Sequence, residues 1–167
     1  GKRWGAWSRA KDGGGLARRG RTLPGGTALP GLALSGPIAG AQITQPFGPS
    51  GLVLEPPMGA YPQFHTGIDI AAPLGTRVTA AAVGIVVAVA HTQVGYGNYV
   101  IVAHGGGIMT LYGQLLETDV KVGDPVARGQ RLGVEGTSGM STGPTLDFEV
   151  QVTDQVTDAM RDLQSLN

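Results

Sequence analysis

An alternating apolar segment, joined by glycines to a second apolar segment, decides the fold. It reads Asn98-Tyr99-Val100-Ile101-Val102-Ala103-His104, and three glycines separate it from residues 108–115. Valine, isoleucine and tyrosine favour strands, and successive side chains of a strand point to opposite faces. Alternate residues from Tyr99 to Ala103 are therefore expected on one face, and those from Val100 to His104 on the other.

Similar segments lie on both sides of this one. Strands are predicted at 66–71, 77–82, 84–91, 131–134 and 146–152, with a short edge strand at 43–48 that Pro46 interrupts. Only residues 154–166 have a helical period, with Val156, Met160, Leu163 and Leu166 at steps of four, three and three. The sequence therefore predicts an all-β, mostly antiparallel body with a short C-terminal helix, capped by Thr153 or Asp154.

Composition divides the 167 residues into three parts. Residues 1–40 are interrupted every few positions by Gly or Pro, which predicts an extended arm or linker. The predicted β domain spans 41–153, and the helix or tail spans 154–167. Residues 1–21 hold seven of the 12 Lys and Arg side chains and one of the 12 acidic ones. The body is therefore mildly acidic, and nucleic acid is not an expected partner for it.

Several classes of protein are excluded by what the chain lacks. It contains no cysteine, which excludes disulfides, thiolate zinc sites and a cysteine nucleophile. The longest apolar run, residues 78–90, is shorter than the ~20 residues that a membrane-spanning helix needs. The chain begins at Gly1 rather than Met, which favours a processed or partial product.

Three histidines are available for chemistry, and one of them has a suggestive partner. In His65-Thr66-Gly67-Ile68-Asp69, residues four apart on a strand share a face, so the imidazole and the carboxylate converge. One nitrogen and one oxygen ligand are half of a zinc site. His104 is expected to have a structural role and His91 to lie on the surface.

The chain resembles the lysostaphin-type peptidoglycan endopeptidases, zinc enzymes that cut the peptide cross-bridges of bacterial cell walls. The resemblance covers about residues 43–152. It is carried by His65-Thr66-Gly67-Ile68-Asp69-Ile70-Ala71-Ala72-Pro73, Gly95-Tyr96-Gly97-Asn98, Thr110-Leu111-Tyr112-Gly113-Gln114-Leu115 and Gly143-Pro144-Thr145-Leu146-Asp147-Phe148-Glu149. It implies a two-sheet, sandwich-like, antiparallel β fold with a groove over a metal.

The resemblance also implies the roles of particular residues. His65 and Asp69 match two family zinc ligands, and Asp147 stands where the family has its third ligand, a histidine. Gln114 and Thr145 stand where the family has two catalytic histidines. The substrate groove is expected to include Tyr112, Gly139 and Ser141.

These departures predict an impaired enzyme. Gln114 and Thr145 form hydrogen bonds but do not exchange protons near neutrality, and losing acid–base help costs about 10²–10⁴-fold in rate. One imidazole with two carboxylates is a harder ligand set, so zinc is expected to bind weakly or not at all. We expect an extracytoplasmic module that binds peptidoglycan, regulates a cell-wall hydrolase or has a structural role.

Two alternatives remain open. The first is an active zinc endopeptidase that uses His65, Asp69 and Asp147. The second is a bacteriophage tail component, located in the virion and bound to other tail proteins. A biotinyl or lipoyl carrier is disfavoured because Lys121 is not at a hairpin tip. A sugar-phosphotransfer protein is disfavoured because it needs two facing histidines, and the groove offers only His65.

Overall fold

The computed structural model describes residues 32–52, 55, 57–136, 143–153 and 155–165. The strands in chain order are β1 (Leu34–Ser35), β2 (Gln42–Gln45), β3 (Gly48–Pro49), β4 (Phe64–His65), β5 (Ile68–Ala71), β6 (Arg77–Thr79), β7 (Gly84–Ala90), β8 (Asn98–Gly105), β9 (Ile108–Thr118), β10 (Pro125–Val126), β11 (Arg131–Glu135), β12 (Leu146–Val152), β13 (Gln155–Thr157) and β14 (Leu163–Ser165). One helical turn, α1 (Ala159–Asp162), precedes β14.

The main sheet is antiparallel and has the order β10-β7-β8-β9-β12-β5-β2. Strand β2 lies at its edge, as Pro46 predicts. The long strand β9 pairs with β12 through Gly113 and with β11 from Leu115 onward, so the sheet branches between these two residues. The prediction of an antiparallel all-β fold is confirmed.

Each face of the sheet carries its own apolar cluster. On one face Val100 and Val102 pack with Phe148 and other fully buried side chains to form the main core. On the opposite face Ile101 packs with a smaller cluster. The alternation predicted for residues 99–104 is confirmed by this division, because neighbouring residues of β8 belong to different clusters.

The prediction of a helix over 154–166 is wrong for most of that segment. Val156 lies on β13, which pairs with β12, and α1 is a single turn. The N-cap is Asp158, whose Oδ1 accepts a hydrogen bond from the N–H of Met160. The apolar period of this segment is short, and pairing with the free edge of β12 satisfies the backbone better than an isolated helix does.

Part of the predicted N-terminal arm belongs to the domain. Leu34 and Ile38 are buried in the main core, and β1 pairs in parallel with β14. The N–H of Thr79 donates to the carbonyl of Pro37. Residues 1–31, which contain the rest of the predicted arm, lie outside the described residues. Within the described part of the chain, no helix has the length and apolarity to cross a membrane.

Candidate metal centre

Three side chains converge where β4, β5 and β12 meet. Strand β12 pairs with β5 so that Asp147 lies opposite Asp69, and His65 ends β4 just before β5. The Nε2 atom of His65 lies 3.3 Å from Oδ1 of Asp69 and 3.7 Å from Oδ1 of Asp147. All three ligand atoms lie within 4.8 Å of one another. The structure thus brings together the three residues that the family resemblance assigned to a metal.

A backbone hydrogen bond on the Nδ1 side of the ring fixes the orientation of His65. Its Nδ1 donates a hydrogen bond to the carbonyl of Pro46 at 3.2 Å, so Nε2 faces the two carboxylates. Burial by itself lowers the pKa of His65, but hydrogen bonds and charge from Asp147 and Asp69 outweigh it and raise the pKa to about 10. A carbonyl partner on the second ring nitrogen is the usual way in which a protein orients a metal-binding histidine.

The geometry of the three residues fits a divalent metal. Zinc–ligand bonds of about 2.0–2.1 Å at tetrahedral angles place neighbouring ligand atoms roughly 3.3 Å apart, close to the two separations from His65. His65 and Asp147 are almost fully buried, whereas Asp69 has 23% of its side chain exposed. A metal held here would meet solvent on the Asp69 side.

A buried carboxylate fastens the two sides of the centre together. Glu149 accepts hydrogen bonds from the Oγ1 of Thr66 at 2.6 Å and from the hydroxyl of Tyr96 at 3.0 Å. Burial raises the pKa of Tyr96 well above its ordinary value, and the charges of Glu149 and Asp147 raise it further. Thr66 follows His65 directly, so this network links the histidine ligand to the strand that carries Asp147.

Two glycines allow the backbone to approach Asp147. A Cβ on Gly67 would lie 2.5 Å from the carbonyl oxygen of Phe148 and 2.9 Å from Oδ1 of Asp147. A Cβ on Gly113 would lie 3.4 Å from Cβ of Asp147. The centre therefore depends on the absence of a side chain at Gly67, whereas a Cβ at Gly113 would make only an ordinary contact with Asp147.

Gln114 lies at the point where the sheet branches. It is buried, and its φ of 66° is in the left-handed region that non-glycine residues rarely adopt. Its N–H donates to the carbonyl of Tyr96 at 2.7 Å, and its Nε2 donates to the carbonyl of Gly95 at 3.3 Å. The side-chain amide is thus held to the 95–96 segment.

Thr145 precedes β12 and is also bound to backbone. Its Oγ1 donates to the carbonyl of Ile70 at 3.4 Å, and its N–H donates to the carbonyl of Gly136 at 3.1 Å. Strand alternation places Thr145, Asp147 and Glu149 on one face, opposite to the core-facing Leu146 and Phe148. Neither Thr145 nor Gln114 exchanges protons near neutrality.

The prediction that Tyr112 lines the groove is wrong. Its side chain is fully buried in the main core, and its hydroxyl accepts a hydrogen bond from the N–H of Ala81 at 2.8 Å. Tyr112 lies one position from Gly113, which lies opposite Asp147, so strand alternation turns its ring to the far face. The other two predicted groove residues, Gly139 and Ser141, lie outside the described residues.

The remaining histidines stay apart from the metal group. His104 donates from Nδ1 to the carbonyl of Val83, and its Nε2 lies 2.8 Å from Oγ1 of Thr110. Burial lowers the pKa of His104, which matches a neutral ring held in a hydrogen-bond chain. His91 is exposed. The structural role expected for His104 agrees with these contacts.

Two buried polar residues, Tyr96 and Glu135, have roles that were not predicted from the sequence. Tyr96 lies in a glycine-rich segment with no strand periodicity, so only its position beside Glu149 reveals its role. Glu135 is fully buried, and its Oε1 accepts a hydrogen bond from the N–H of Ala72 at 3.0 Å. Burial raises the pKa of Glu135 to about 7 against the opposing effect of that hydrogen bond.

Known proteins share this arrangement of strands. Residues 63–159 match the family described as Peptidase family M23. Peptidoglycan DD-endopeptidase ShyA of Vibrio cholerae is 41% identical over 97 residues, which are 58% of this chain and 22% of ShyA. The chain spans about a quarter of the length of the curated relatives that it matches.

Two solved structures extend the similarity to the fold. A zinc-containing peptidase from Vibrio cholerae superposes with a TM-score of 0.69 at 34% identity, covering 79% of this chain and 41% of that one. The catalytic domain of the antimicrobial peptidase lysostaphin from Staphylococcus simulans superposes with a TM-score of 0.61 at 30% identity, covering 72% of this chain and 90% of that domain.

Proposed function

Because the chain belongs to peptidase family M23, we propose that it is a peptidoglycan-binding domain with impaired peptide cleavage. The observation that supports this proposal is that three possible metal ligands converge, whereas Gln114 and Thr145 offer no ionisable group. Both side chains donate their hydrogen bonds to backbone carbonyls. A metal held by His65, Asp69 and Asp147 would polarise a peptide carbonyl, but Gln114 and Thr145 would supply no proton-transfer group.

The size of the impairment follows from the missing acid–base groups. General acid–base catalysis contributes about 10²–10⁴-fold to a rate. An amide and an aliphatic hydroxyl do not supply that contribution, since neither takes or gives a proton near pH 7. We therefore expect cleavage slower by at least two orders of magnitude than that of a variant in which histidines occupy these positions.

Binding of a peptide needs no proton transfer, so the site supports binding without the missing acid–base groups. Part of the Asp69 side chain remains exposed, and the three ligand atoms lie close together. Curated relatives such as ShyA are named as peptidoglycan endopeptidases, which makes cell-wall peptide the ligand of choice. We place the domain outside the cytoplasm, where it binds the wall itself or assists an active hydrolase on it.

A second candidate, an active metallopeptidase, is favoured by one observation. His65, Asp69 and Asp147 are close enough to hold a metal without further rearrangement of the strands. In that case chelation would abolish a measurable release of amino groups. The virion-tail hypothesis has no support in the geometry of the site and stays a prediction from the sequence.

The test compares the wild-type chain with a repaired one. Purified protein is incubated with peptidoglycan sacculi, and both co-sedimentation and release of new amino groups are measured. The repaired variant carries Gln114→His, Thr145→His and Asp147→His. A matched control adds His65→Ala to the repaired variant, which removes a metal ligand but keeps the three new histidines.

We expect the wild-type protein to co-sediment with sacculi and to release few amino groups. The repaired variant should release at least 100-fold more, and the His65→Ala control should lose that gain. Chelator-sensitive cleavage by the wild type at the rate of the repaired variant would overturn the proposal and favour the active enzyme. Absence of wild-type co-sedimentation would overturn the binding role.

A further inference from the structure

We propose that Asp147 shifts the metal preference of this centre from Zn²⁺ toward the harder cation Mn²⁺. The inference concerns the affinity of the centre for two ions, and it does not rest on peptidoglycan binding. It holds whether or not the domain cleaves a peptide.

The chemical type of the ligand atoms favours a cation harder than Zn²⁺. The centre offers one imidazole nitrogen and two carboxylate oxygens, from His65, Asp69 and Asp147. Carboxylate oxygens suit Mg²⁺, Ca²⁺ and Mn²⁺, whereas imidazole suits zinc and the later transition metals. Replacing one imidazole by a carboxylate therefore weakens Zn²⁺ binding more than Mn²⁺ binding.

The backbone places Asp147 close enough to the other two residues to act as a ligand. A carboxylate is shorter than an imidazole, so it contributes only if the backbone brings it close. Pairing of β12 with β5 places Asp147 opposite Asp69, and the missing side chain of Gly67 leaves room beside the Oδ1 atom of Asp147. As a result, Oδ1 of Asp147 lies 3.7 Å from Nε2 of His65, within the distance that separates two ligands of one ion.

Carboxylate side chains are concentrated in and next to the centre. Asp147 is almost fully buried, and Glu149 is buried two residues further along the same face. Glu149 accepts hydrogen bonds from Thr66 and Tyr96, which hold it beside the strand that carries Asp147. The centre itself offers two carboxylate ligands, and these favour a hard cation that binds through electrostatics.

The ratio of two affinities expresses the proposal, since Zn²⁺ binds more tightly than Mn²⁺ to most protein sites. The relevant quantity is Kd for Mn²⁺ divided by Kd for Zn²⁺. We expect this ratio to be at least about tenfold smaller in the wild type than in Asp147→His, because losing only a residue that orients a ligand already costs about 10–100-fold in metal affinity, and here the ligand itself changes.

The experiment uses the full chain, freed of metal by a chelator and dialysis. Zn²⁺ affinity is measured by competition with a chromophoric chelator, and Mn²⁺ affinity by the loss of the free-ion electron paramagnetic resonance signal. The variants are Asp147→His and Asp147→Asn. A matched control, Asp124→His on the β9–β10 loop, adds an imidazole outside the three-residue centre, and circular dichroism checks that each variant is folded.

Asp147→His should raise the ratio at least about tenfold, and Asp124→His should leave it within about twofold of the wild type. Asp147→Asn keeps the size of the side chain but removes its charge, so it should weaken Mn²⁺ binding more than Zn²⁺ binding. This second variant tests the idea even if the first does not fold. An equal ratio in the wild type and the folded Asp147 variants would overturn the proposal, as would a wild type that binds neither ion.

Discussion

Glu135 gives the sharpest prediction about stability, because its carboxylate is fully buried at the end of β11. Its Oε1 accepts the N–H of Ala72, while Oε2 has no hydrogen-bond partner among the described residues. Burial raises the pKa of Glu135 from 4.5 to about 7. Such a rise corresponds to about 3 kcal/mol of preference for the protonated form in the folded state.

The sign of the pH dependence follows from this rise. Below about pH 4.5 Glu135 is protonated in both the folded and the unfolded chain, so its full stabilising effect is present. As the pH rises from 4.5 through 7, the carboxyl group of Glu135 ionises first in the unfolded chain. This ionisation stabilises the unfolded chain relative to the folded one. The contribution of Glu135 to stability therefore falls by about 3 kcal/mol over this window.

The substitution Glu135→Gln keeps the acceptor for Ala72 but introduces a side chain that cannot ionise. Urea unfolding of the wild type and the variant is measured at pH 4.5, 6 and 8. We expect the free energy of unfolding of the variant, minus that of the wild type, to rise by about 3 kcal/mol from pH 4.5 to pH 8. This difference removes the contributions of all other titrating groups, which both chains share.

A control substitution tests whether the change from Glu to Gln has an effect of its own. Glu117 is exposed and paired with Arg131, and loss of such a surface pair costs about 0–1 kcal/mol. Glu117→Gln should therefore differ from the wild type by no more than that at each pH. Parallel pH curves for the wild type and Glu135→Gln would contradict a free-energy cost of ionising the buried carboxylate.

Two further substitutions test the supports of the metal centre. Gly67→Ala should lower the free energy of unfolding by more than about 2 kcal/mol and weaken metal binding, because its Cβ would lie 2.5 Å from the carbonyl of Phe148 and 2.9 Å from Oδ1 of Asp147. Urea unfolding and metal titration check this, and a wild-type value in both would contradict it. Tyr96→Phe removes a donor to buried Glu149 and should cost about 1–3 kcal/mol by thermal or urea unfolding. An unchanged midpoint would show that the hydrogen bond contributes nothing.

His65 and Asp69 were predictable as a pair because they are only four residues apart, although they lie on the separate strands β4 and β5. The ligand role of Asp147 came from resemblance, and alternation along β12 puts it on one face with Glu149. The roles of Gln114 and Thr145 came from resemblance, and only the structure reveals the backbone partners of their side chains. Their partners come from distant segments, and sequence spacing contains no information about such contacts.

Tyr112 and the C-terminal segment show where local patterns fail. Tyr112 belongs to a motif that the family places at its groove, but the strand turns its ring into the core. Residues 155–165 have a helical period, yet most of them pair as strands because β12 and β1 offer free edges. The burial of Leu34 was also not predictable from local sequence, because its partner strand β14 is more than a hundred residues away.

The amino-acid order alone determined most strands of the main sheet and the faces of β8 and β12, since a period of two residues is a local property of the backbone. The folded chain decided where Asp147 meets these ligands, how Glu135 loses contact with water, and which edge strands accept β13 and β14. These features depend on contacts between distant segments, whose burial and hydrogen bonds exist only after the sheet has formed.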